Sequence, residues 1–484
     1  MTRKPKPGAA EGAEGAPFVP PPDAVAKVLS SAPNSDAANG MRFARDHGRN
    51  VRYSFKTGKW YLWDGKRWVE DWMGRAQTRA VATARNIFAE CADGHLNADE
   101  AKARAAWAHK SHNNREIKAM LERAQPSCAF RIEDTDGDPF LFNLANGTLD
   151  LRTSELLPHT REHLITRLAG GGLAYDPNAT CPTWTRFLEQ VMDGRHDLIA
   201  FLQRAIGYSL TGNTREQVML ILYGAGSNGK STFLNVVMEL LGEYGHMAAS
   251  KLLLAKRNPD AITNDLADLR GARYVCCSET PQGRFLDEEL VKQMTGGELI
   301  TARRLRENNI TFPPLFKLWL STNHKPSIKG TDHGIWRRLL LVPFERTFAK
   351  EERDTDLADK LRAEMPGILN WALEGCLVWQ SHGLEVPEEI RAAVRDYREE
   401  MDVLGEFLGE HARLDDAGAF TSAAALYGRY KTWAEAAGEK AVAQKQLGLM
   451  LKERGYVSER QGTPQVRGWR GIELVEQQHG YYGR

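Results

Sequence analysis

A glycine-rich loop set between an apolar strand and a helix constrains the fold of this chain more than any other feature. Residues 218–223 form an uninterrupted apolar run, residues 224–231 follow the pattern Gly-x-x-x-x-Gly-Lys-Ser, and residues 232–241 have helical periodicity. Glycines let backbone amides surround an anion without Cβ clashes, and the start of a helix favours negative charge. This order therefore predicts a phosphate-binding loop at one edge of a β-sheet.

The loop also predicts which groups would bind ATP and Mg²⁺. The ammonium of Lys230 is expected to reach the β- and γ-phosphate oxygens, and the hydroxyl of Ser231 is expected to ligate the metal. The predicted ATP-binding residues are Gly224, Ala225, Gly226, Ser227, Asn228, Gly229, Lys230, Ser231 and Thr232. A chance glycine-rich turn is the alternative, and the flanking strand and helix argue against it.

Two later apolar strands end in polar residues suited to the same site. Residues 273–279 end in Ser278 and Glu279, and residues 316–323 end in Asn323. Placed beside the γ-phosphate, Glu279 is expected to orient and deprotonate the attacking water, and Asn323 to position that water. Ser278 stands where many such ATPases have a Mg²⁺-linked aspartate, so the metal is expected to be held through water.

Length and composition predict several domains, because 484 residues exceed one ordinary core. A Pro-, Ala- and Gly-rich start predicts a disordered tail, and apolar runs alternating with helices over about 216–345 predict an α/β fold with a parallel sheet. Helix, helix and two short strands near the C-terminus predict a winged helix. The predicted segments are the tail at 1–40, a mixed α+β domain at 41–180, a P-loop ATPase domain with leading helices at 181–350, a helical segment at 351–410 and the winged-helix domain at 411–484.

Within the mixed α+β segment, alternating aromatics over 51–69 predict an antiparallel meander, followed by helices over 73–125 and strands over 140–151. The aromatics are expected to form a packed sheet face, and stacking on nucleic-acid bases is the alternative. An acidic run at 134–138 is expected to be a turn rather than a calcium loop or the metal-binding acids of a primase.

Overall charge and cysteine usage exclude several other classes of protein. A net charge of +1 means that any nucleic-acid surface must be a local basic patch. Six cysteines without a Cys-x-x-Cys spacing predict reduced thiols and no zinc site. No apolar run reaches about 18 residues, and the N-terminus lacks the apolar stretch of a secretion signal. The expected location is the cytoplasm, with no membrane partner.

The order of motifs resembles that of the superfamily 3 helicases, a branch of the AAA+ ATPases. After the phosphate loop come Ser278-Glu279, residues 295–298 (Thr-Gly-Gly-Glu), residues 322–326 (Thr-Asn-His-Lys-Pro) and residues 334–338 (Gly-Ile-Trp-Arg-Arg). More narrowly, the chain is similar to the C-terminal helicase half of phage and plasmid primase–helicases. The resemblance is strongest over about 215–345 and extends back to residues 143–152.

This resemblance implies an AAA+-type ATPase domain that assembles as a hexameric ring with ATP between subunits. Glu279 would match the Walker B acid and Asn323 the polar sensor residue. Arg337 or Arg338 would be the arginine finger that reaches the neighbour's nucleotide, where it stabilises charge on the transferring phosphoryl group. The alternative for Arg337 and Arg338 is a solvated surface pair.

Two regions are expected to contact DNA. Residues 300–312 have two apolar arms around a polar tip, which predicts a β-hairpin; in helicases of the resembled type it grips DNA in the channel, here through Arg304 and Arg306. The alternative is that these arginines form ion pairs with nearby acidic residues. In the C-terminal segment basic residues outnumber acidic ones, and Lys445 and Arg467 are expected to bind duplex DNA, with protein docking as the alternative.

Together these features predict an ATP-dependent, ring-forming DNA helicase of a phage or plasmid replication system, which acts in the host cytoplasm. A separate primase is an expected partner. Two alternatives remain: a DNA-bound ATPase that serves as an origin-recognition or loading scaffold without processive unwinding, and an RNA-directed viral helicase.

Overall fold

The structure is a computed structural model, and the chain divides into two compact units. The structure describes residues 32–92, 96–255, 264–278, 284–303, 309–328, 333–438 and 441–475. Among the described residues, those between 32 and 137 form the N-terminal unit together with 159–166, and those at 138–158 and between 167 and 475 form the P-loop unit. Residues 138–158 and 167–180 therefore group with the P-loop unit.

Within the described residues, the N-terminal unit contains four α-helices and a three-stranded sheet. Its elements are α1 (Asp36–His47), β1 (Val51–Ser54), β2 (Lys59–Trp63), β3 (Trp68–Glu70), α2 (Arg75–Glu90), α3 (Ala98–Ser111) and α4 (Asn114–Ala124). The strands form the predicted antiparallel meander in the order β1-β2-β3. Neighbouring residues Tyr61 and Leu62 point to opposite faces, and each enters a different apolar cluster. Both faces of the sheet are therefore packed, which favours the structural interpretation of its aromatics.

A short return of the chain completes the N-terminal unit. Trp68 donates from its backbone nitrogen to Ile165 (2.8 Å) and from its indole nitrogen to the carbonyl of Arg161 (3.0 Å). The acidic run is tied in as well, since the carboxylate of Asp136 accepts a hydrogen bond from the backbone of Thr166 (2.8 Å). A carboxylate engaged within a turn supports the structural interpretation of this run.

The first part of the P-loop unit carries a small sheet, a helical pair and the central strands. Its elements are β4 (Leu141–Leu144), β5 (Gly147–Asp150), β6 (Glu155–Leu157), α5 (Pro182–Val191), α6 (His196–Leu210), β7 (Met219–Tyr223), α7 (Lys230–Leu241), β8 (Gly245–Ala249), α8 (Asn264–Ala267), β9 (Tyr274–Ser278), α9 (Glu288–Gly296), β10 (Ile300–Arg303), β11 (Asn309–Phe312), β12 (Lys317–Thr322), α10 (His333–Trp336) and β13 (Leu339–Pro343).

Five strands form the central sheet in the order β13-β7-β12-β9-β8, and every neighbouring pair is parallel. Along β7, Leu220 and Leu222 enter one apolar core, whereas Met219 and Ile221 enter another. Burial on both faces explains why these strands read as continuous apolar runs. The predicted α/β fold with a parallel sheet is confirmed.

The remaining elements follow β13. They are α11 (Leu357–Ala363), α12 (Met365–His382), α13 (Glu388–Glu400), α14 (Val403–His411), β14 (Ala412–Arg413), β15 (Phe420–Ser422), α15 (Ala423–Ala436), α16 (Gln444–Glu453), β16 (Ser458–Gln461), β17 (Val466–Arg470) and β18 (Glu473–Leu474). Helix α12 packs closely on α6, where a Cβ at Gly207 or at Gly375 would lie 2.1 Å from backbone atoms of the other helix. Only glycine allows the two helices to approach this closely.

Two buried basic side chains, Arg273 and Lys317, lie at the starts of β9 and β12 in the central sheet. Arg273 donates to the carbonyls of Leu210 (2.6 Å) and Leu141 (2.7 Å), and Lys317 donates to the carbonyl of Thr211. The last carbonyls of α6 have no hydrogen-bond donor within the helix. Arg273 and Lys317 supply these donors, and their positive charge is favourable at the negative end of the helix dipole. Burial lowers the pKa of Lys317 well below its usual value. Through Leu141, Arg273 also binds β4 into the P-loop unit.

Two global expectations can be compared with the described residues. All six cysteines lie among them, and none forms a disulfide. None of the helices in the described part of the chain has the length and apolar character that a membrane crossing requires.

Candidate nucleotide-binding site

The phosphate loop joins the end of β7 to the start of α7, in the predicted strand–loop–helix arrangement. Gly224 has a φ of 152°, and a Cβ there would lie 2.1 Å from the carbonyl oxygen of Phe344. Gly229 has a φ of 85°, and its Cβ would lie 2.6 Å from Cγ2 of Val191. Neighbouring segments therefore approach the loop so closely that only glycine fits at these two positions.

Lys230 and Asn323, predicted from separate motifs, are brought together by the sheet. The Nζ atom of Lys230 donates to the carbonyl of Gly224 (2.7 Å), to Oδ1 of Asn228 (3.0 Å) and to Oδ1 of Asn323 (3.2 Å). Burial lowers the pKa of Lys230, since none of these acceptors carries a charge. A nucleotide phosphate would supply the missing anion.

Asn228 fixes the orientation of this arrangement. Its side chain is buried, its Oδ1 accepts from Lys230, and its Nδ2 donates to the carbonyl of Phe344 (2.8 Å). Both ends of the amide are thus engaged, so the group cannot flip without losing a buried hydrogen bond. Asn228 links the lysine to the segment that follows β13.

We expect Asn228→Asp to weaken ATP binding by about tenfold or more, measured as the Kd of a fluorescent ATP analogue. The new carboxylate would compete with phosphate for Lys230 and would leave the carbonyl of Phe344 without its donor. Asn235→Asp is the matched control, because Asn235 lines the same cavity without a hydrogen bond to Lys230. Equal losses in both variants would show general charge repulsion instead.

A cavity of about 450 Å³ lies above the loop. Its lining includes the loop residues 226–232 and the ends of two neighbouring strands, at Ser278 on β9 and at Ser321, Thr322 and Asn323 on or after β12. Mg²⁺ prefers oxygen ligands, and hydroxyl and amide oxygens are among them. The Ser231 side chain is exposed to this cavity. The residues present fit a metal bound by Ser231, with further positions left to phosphate and water.

Three of the predicted site residues lie outside the described residues: Glu279, Arg304 and Arg306. The arms of the predicted hairpin are described, and β10 pairs antiparallel with β11 from Ile300 and Phe312 to Arg303 and Asn309. The region of the chain that would carry the hairpin tip therefore lies between two paired strands.

The structure separates the two candidate finger arginines. Arg338 is buried, and it donates to the hydroxyl of Thr295 (3.1 Å) and the carbonyl of Gly334 (2.5 Å). Arg337 is exposed and donates to the side chain of Gln217 (3.1 Å). Arg338 thus joins α9 to the start of β13, whereas the Arg337 side chain faces outwards.

Both arginines lie at the N-terminal ends of the strands, whereas the phosphate loop lies at the C-terminal ends. They precede β13, while the loop follows β7, and the two strands pair in parallel from Leu339–Met219 to Pro343–Tyr223. Five strand residues span about 16 Å. Arg337 therefore lies away from the nucleotide site of its own chain.

The predicted DNA contacts of the C-terminal segment are Lys445 on α16 and Arg467 on β17, and both side chains are exposed. On α16, Lys445, Leu449 and Lys452 form one exposed stripe opposite the buried Leu447 and Leu451. Sheet order β15-β17-β16 places Arg467 directly across from Arg460.

Sequence reasoning missed Arg353, whose Nη2 atom donates to the hydroxyl of Ser227 in the phosphate loop (3.0 Å). The two residues are far apart in the chain, and Arg353 belongs to none of the recognised motifs. No local pattern in the sequence signals this contact.

Two protein families match the chain. The family described as "D5 N terminal like" matches residues 40–193, and a "Family of unknown function (DUF5906)" matches residues 222–338. Among solved structures, the chain resembles the A form apo structure of the NrS-1 C-terminal region, with a TM-score of 0.50 and 12% identity over 87% of this chain and 95% of that one. At this identity the likeness concerns the fold alone.

Several curated viral proteins are related in sequence. The chain is 25% identical to the "Putative helicase L207/L206" of Acanthamoeba polyphaga mimivirus, over 78% of this chain and 43% of that protein. It is 26% identical to the "Putative helicase 022R" of Frog virus 3, over 57% and 30% respectively. It is 27% identical to the "Putative primase C962R" of African swine fever virus, over 43% and 22%.

The chain spans less than half the length of these relatives. Its two family matches follow one another along the chain, and the second covers the phosphate loop, the sensor strand and the arginine pair. Together with relatives named as helicases and primases, these matches make the chain similar to viral primase–helicases, and its motifs fit the superfamily 3 helicases among them.

Proposed function

We propose that this chain is the ATP-hydrolysing motor of a DNA helicase that serves the replication of a virus or another mobile element. The observation that carries the proposal is the convergence of Lys230 and Asn323 at one cavity, across the ends of adjacent parallel strands. A lysine aimed at phosphates and an amide beside it are the groups that phosphoryl transfer to water requires.

The proposed roles follow from the positions of the side chains. Lys230 exchanges its neutral acceptors for phosphate oxygens and so stabilises the charge that develops on the transferring group. Mg²⁺, when bound at Ser231, supplies further neutralisation of the phosphates. The amide of Asn323 orients the attacking water, and we assign its deprotonation to Glu279, which follows Ser278 at the end of β9.

We further propose that the motor works as a homo-oligomeric ring, with six subunits as in the family it resembles. Support comes from the place of Arg337, which is exposed and lies across the sheet from its own nucleotide site. An arginine supplied by a neighbouring subunit makes hydrolysis depend on assembly. The buried Arg338 would instead hold the start of β13 in place.

We propose that the motor translocates on single-stranded DNA, which the β10–β11 hairpin contacts through Arg304 and Arg306. Ionic contacts with phosphates suit translocation, because they do not depend on base sequence.

At the C-terminus we propose a winged-helix domain that binds duplex DNA through Lys445 and Arg467. The exposed stripe of α16 and the pair of arginines facing each other across β16 and β17 support this assignment, since like charges repel unless a polyanion lies between them.

We expect Arg306→Ala to weaken binding of single-stranded DNA to a similar extent for all sequences. Loss of one phosphate contact should flatten the slope of log affinity against log salt by about 0.7. ATP hydrolysis without DNA should persist, while its stimulation by DNA and strand separation should both fall. Glu307→Ala, one position further on, is the control that should not flatten the slope. An unchanged slope in Arg306→Ala would remove the hairpin from the DNA path.

Strand displacement on tailed duplexes tests the function as a whole. Displacement of DNA that requires ATP supports the helicase. DNA-stimulated hydrolysis without displacement would favour the loading scaffold, and a preference for RNA tails would favour an RNA-directed motor. The same assay with a separate primase added tests that proposed partner, which would act with this motor in the host cytoplasm.

A further inference from the structure

The segment that follows β13 is fixed against the phosphate loop. This segment, residues 344–353, is called the strap here. Its Phe348 donates from the backbone to the carbonyl of Ser227 (2.9 Å), and its Phe344 carbonyl accepts from the Asn228 side chain (2.8 Å). Because bonds at two points tie the strap to the loop, a side chain near the end of the strap has a defined position relative to a bound nucleotide.

Arg353 ends the strap against the phosphate loop and is not itself among the residues that line the cavity. Its Nη2 atom donates to the hydroxyl of Ser227 (3.0 Å), a residue that lines the cavity. Its Nε and Nη2 atoms also donate to the carbonyl of Phe348 (3.3 and 3.1 Å). These bonds leave Nη1 without a partner in the described ranges, although a guanidinium has five N–H donors.

The charge of Arg353 is also not neutralised within the part of the chain that the structure describes, where it forms no ion pair with a carboxylate. Arg346, on the same strap, differs in this respect, since it pairs with Glu352 (3.3 Å) and donates to the carbonyl of Gln190 (3.3 Å). Of the two arginines, Arg353 is thus the one with charge and donors available for an anion. Guanidinium groups match the paired oxygens of a phosphate.

We propose that Arg353 is a nucleotide-binding residue that acts in cis: Nη1 binds phosphate oxygens of the nucleotide held by the loop of the same subunit. Ser227 and Phe348 hold the guanidinium in place for that contact. The inference rests on the proposed ATP site. It differs from the role proposed for Arg337, which lies at the opposite end of the strands and would act on a neighbouring subunit.

Nucleotide affinity of the full chain tests this contact, measured for ATP and ADP with Mg²⁺ by competition with a fluorescent analogue. Arg353→Ala should raise the Kd of ATP by about tenfold or more, and Arg353→Lys should lose less because the charge remains. Ser227→Ala removes one of the hydrogen bonds that hold the guanidinium but leaves its charge and its bonds to Phe348, so it should raise the Kd clearly less than Arg353→Ala does. Arg346→Ala is the matched control and should bind ATP normally.

Two results would overturn the inference. One is an unchanged Kd in Arg353→Ala with an unchanged melting temperature. The other is an equal loss in Ser227→Ala and Arg353→Ala, which would mean that Arg353 acts only by shaping the loop. Absence of ATP binding by the folded wild-type chain would be a different failure, because it would refute the nucleotide site itself.

Discussion

Lys230→Ala should lower the rate of ATP hydrolysis by about 100- to 1000-fold while leaving the fold intact. The side chain stabilises developing charge on the phosphates, and its acceptors in the structure are loop groups and Asn323 rather than a packed apolar core. Steady-state phosphate release and thermal unfolding, measured on the same preparation, check the two halves of this prediction.

Lys325→Ala is a suitable control for the loss of positive charge near the site. Lys325 forms an ion pair with Glu400 (2.9 Å) and is absent from the cavity lining. Its variant should retain most of the hydrolysis. Turnover at the wild-type rate in Lys230→Ala would refute the assignment of the phosphate loop as the active site.

Arg337→Ala should form rings yet hydrolyse ATP about 1000-fold more slowly, because an arginine finger contributes an effect of this order. Its exposed position across the sheet from its own loop predicts complementation. Mixing Arg337→Ala with Lys230→Ala should restore part of the activity, since some interfaces then combine an intact loop with an intact finger. Hydrolysis as a function of the mixing ratio measures this.

Arg338→Ala should behave differently. Removing this buried side chain leaves Thr295 and the carbonyl of Gly334 without their donor, so the variant should melt at a lower temperature. Mixed rings of Arg337→Ala and Lys230→Ala that show no recovery would contradict action between subunits. Native mass spectrometry of the mixture establishes that such rings are present.

The phosphate loop was predictable because its signal is local. Strand, glycines, lysine and helix follow one another within residues 218–241, and at Gly224 and Gly229 neighbouring atoms leave no room for a Cβ. The parallel sheet was likewise predictable, because burial of both strand faces gives apolar runs that are visible in the sequence. Motif order predicted Asn323 for the same site as Lys230, and its Oδ1 accepts a hydrogen bond from Lys230 (3.2 Å).

What the sequence left open depends on contacts between distant residues. Arg337 and Arg338 are adjacent and chemically identical, and only the packing of Thr295 and Gly334 around one of them makes them different. Arg353 carries no motif, and its partner Ser227 is reached only through the folded strap. Alternation predicted strands near residue 141 without showing that Arg273 would bind them into the P-loop unit.

The path of the chain between its two units has a consequence for how the protein is made. The chain enters the P-loop unit at residue 138, returns to the N-terminal unit at 159 and leaves again at 167. A ribosome therefore delivers the carbonyls of Arg161 and Ile165, which accept the hydrogen bonds of Trp68, only after strands β4 to β6 have been synthesised. During translation, the N-terminal unit can therefore complete its folding only after residues 138–158 of the P-loop unit have been synthesised. The two units are not synthesised one after the other.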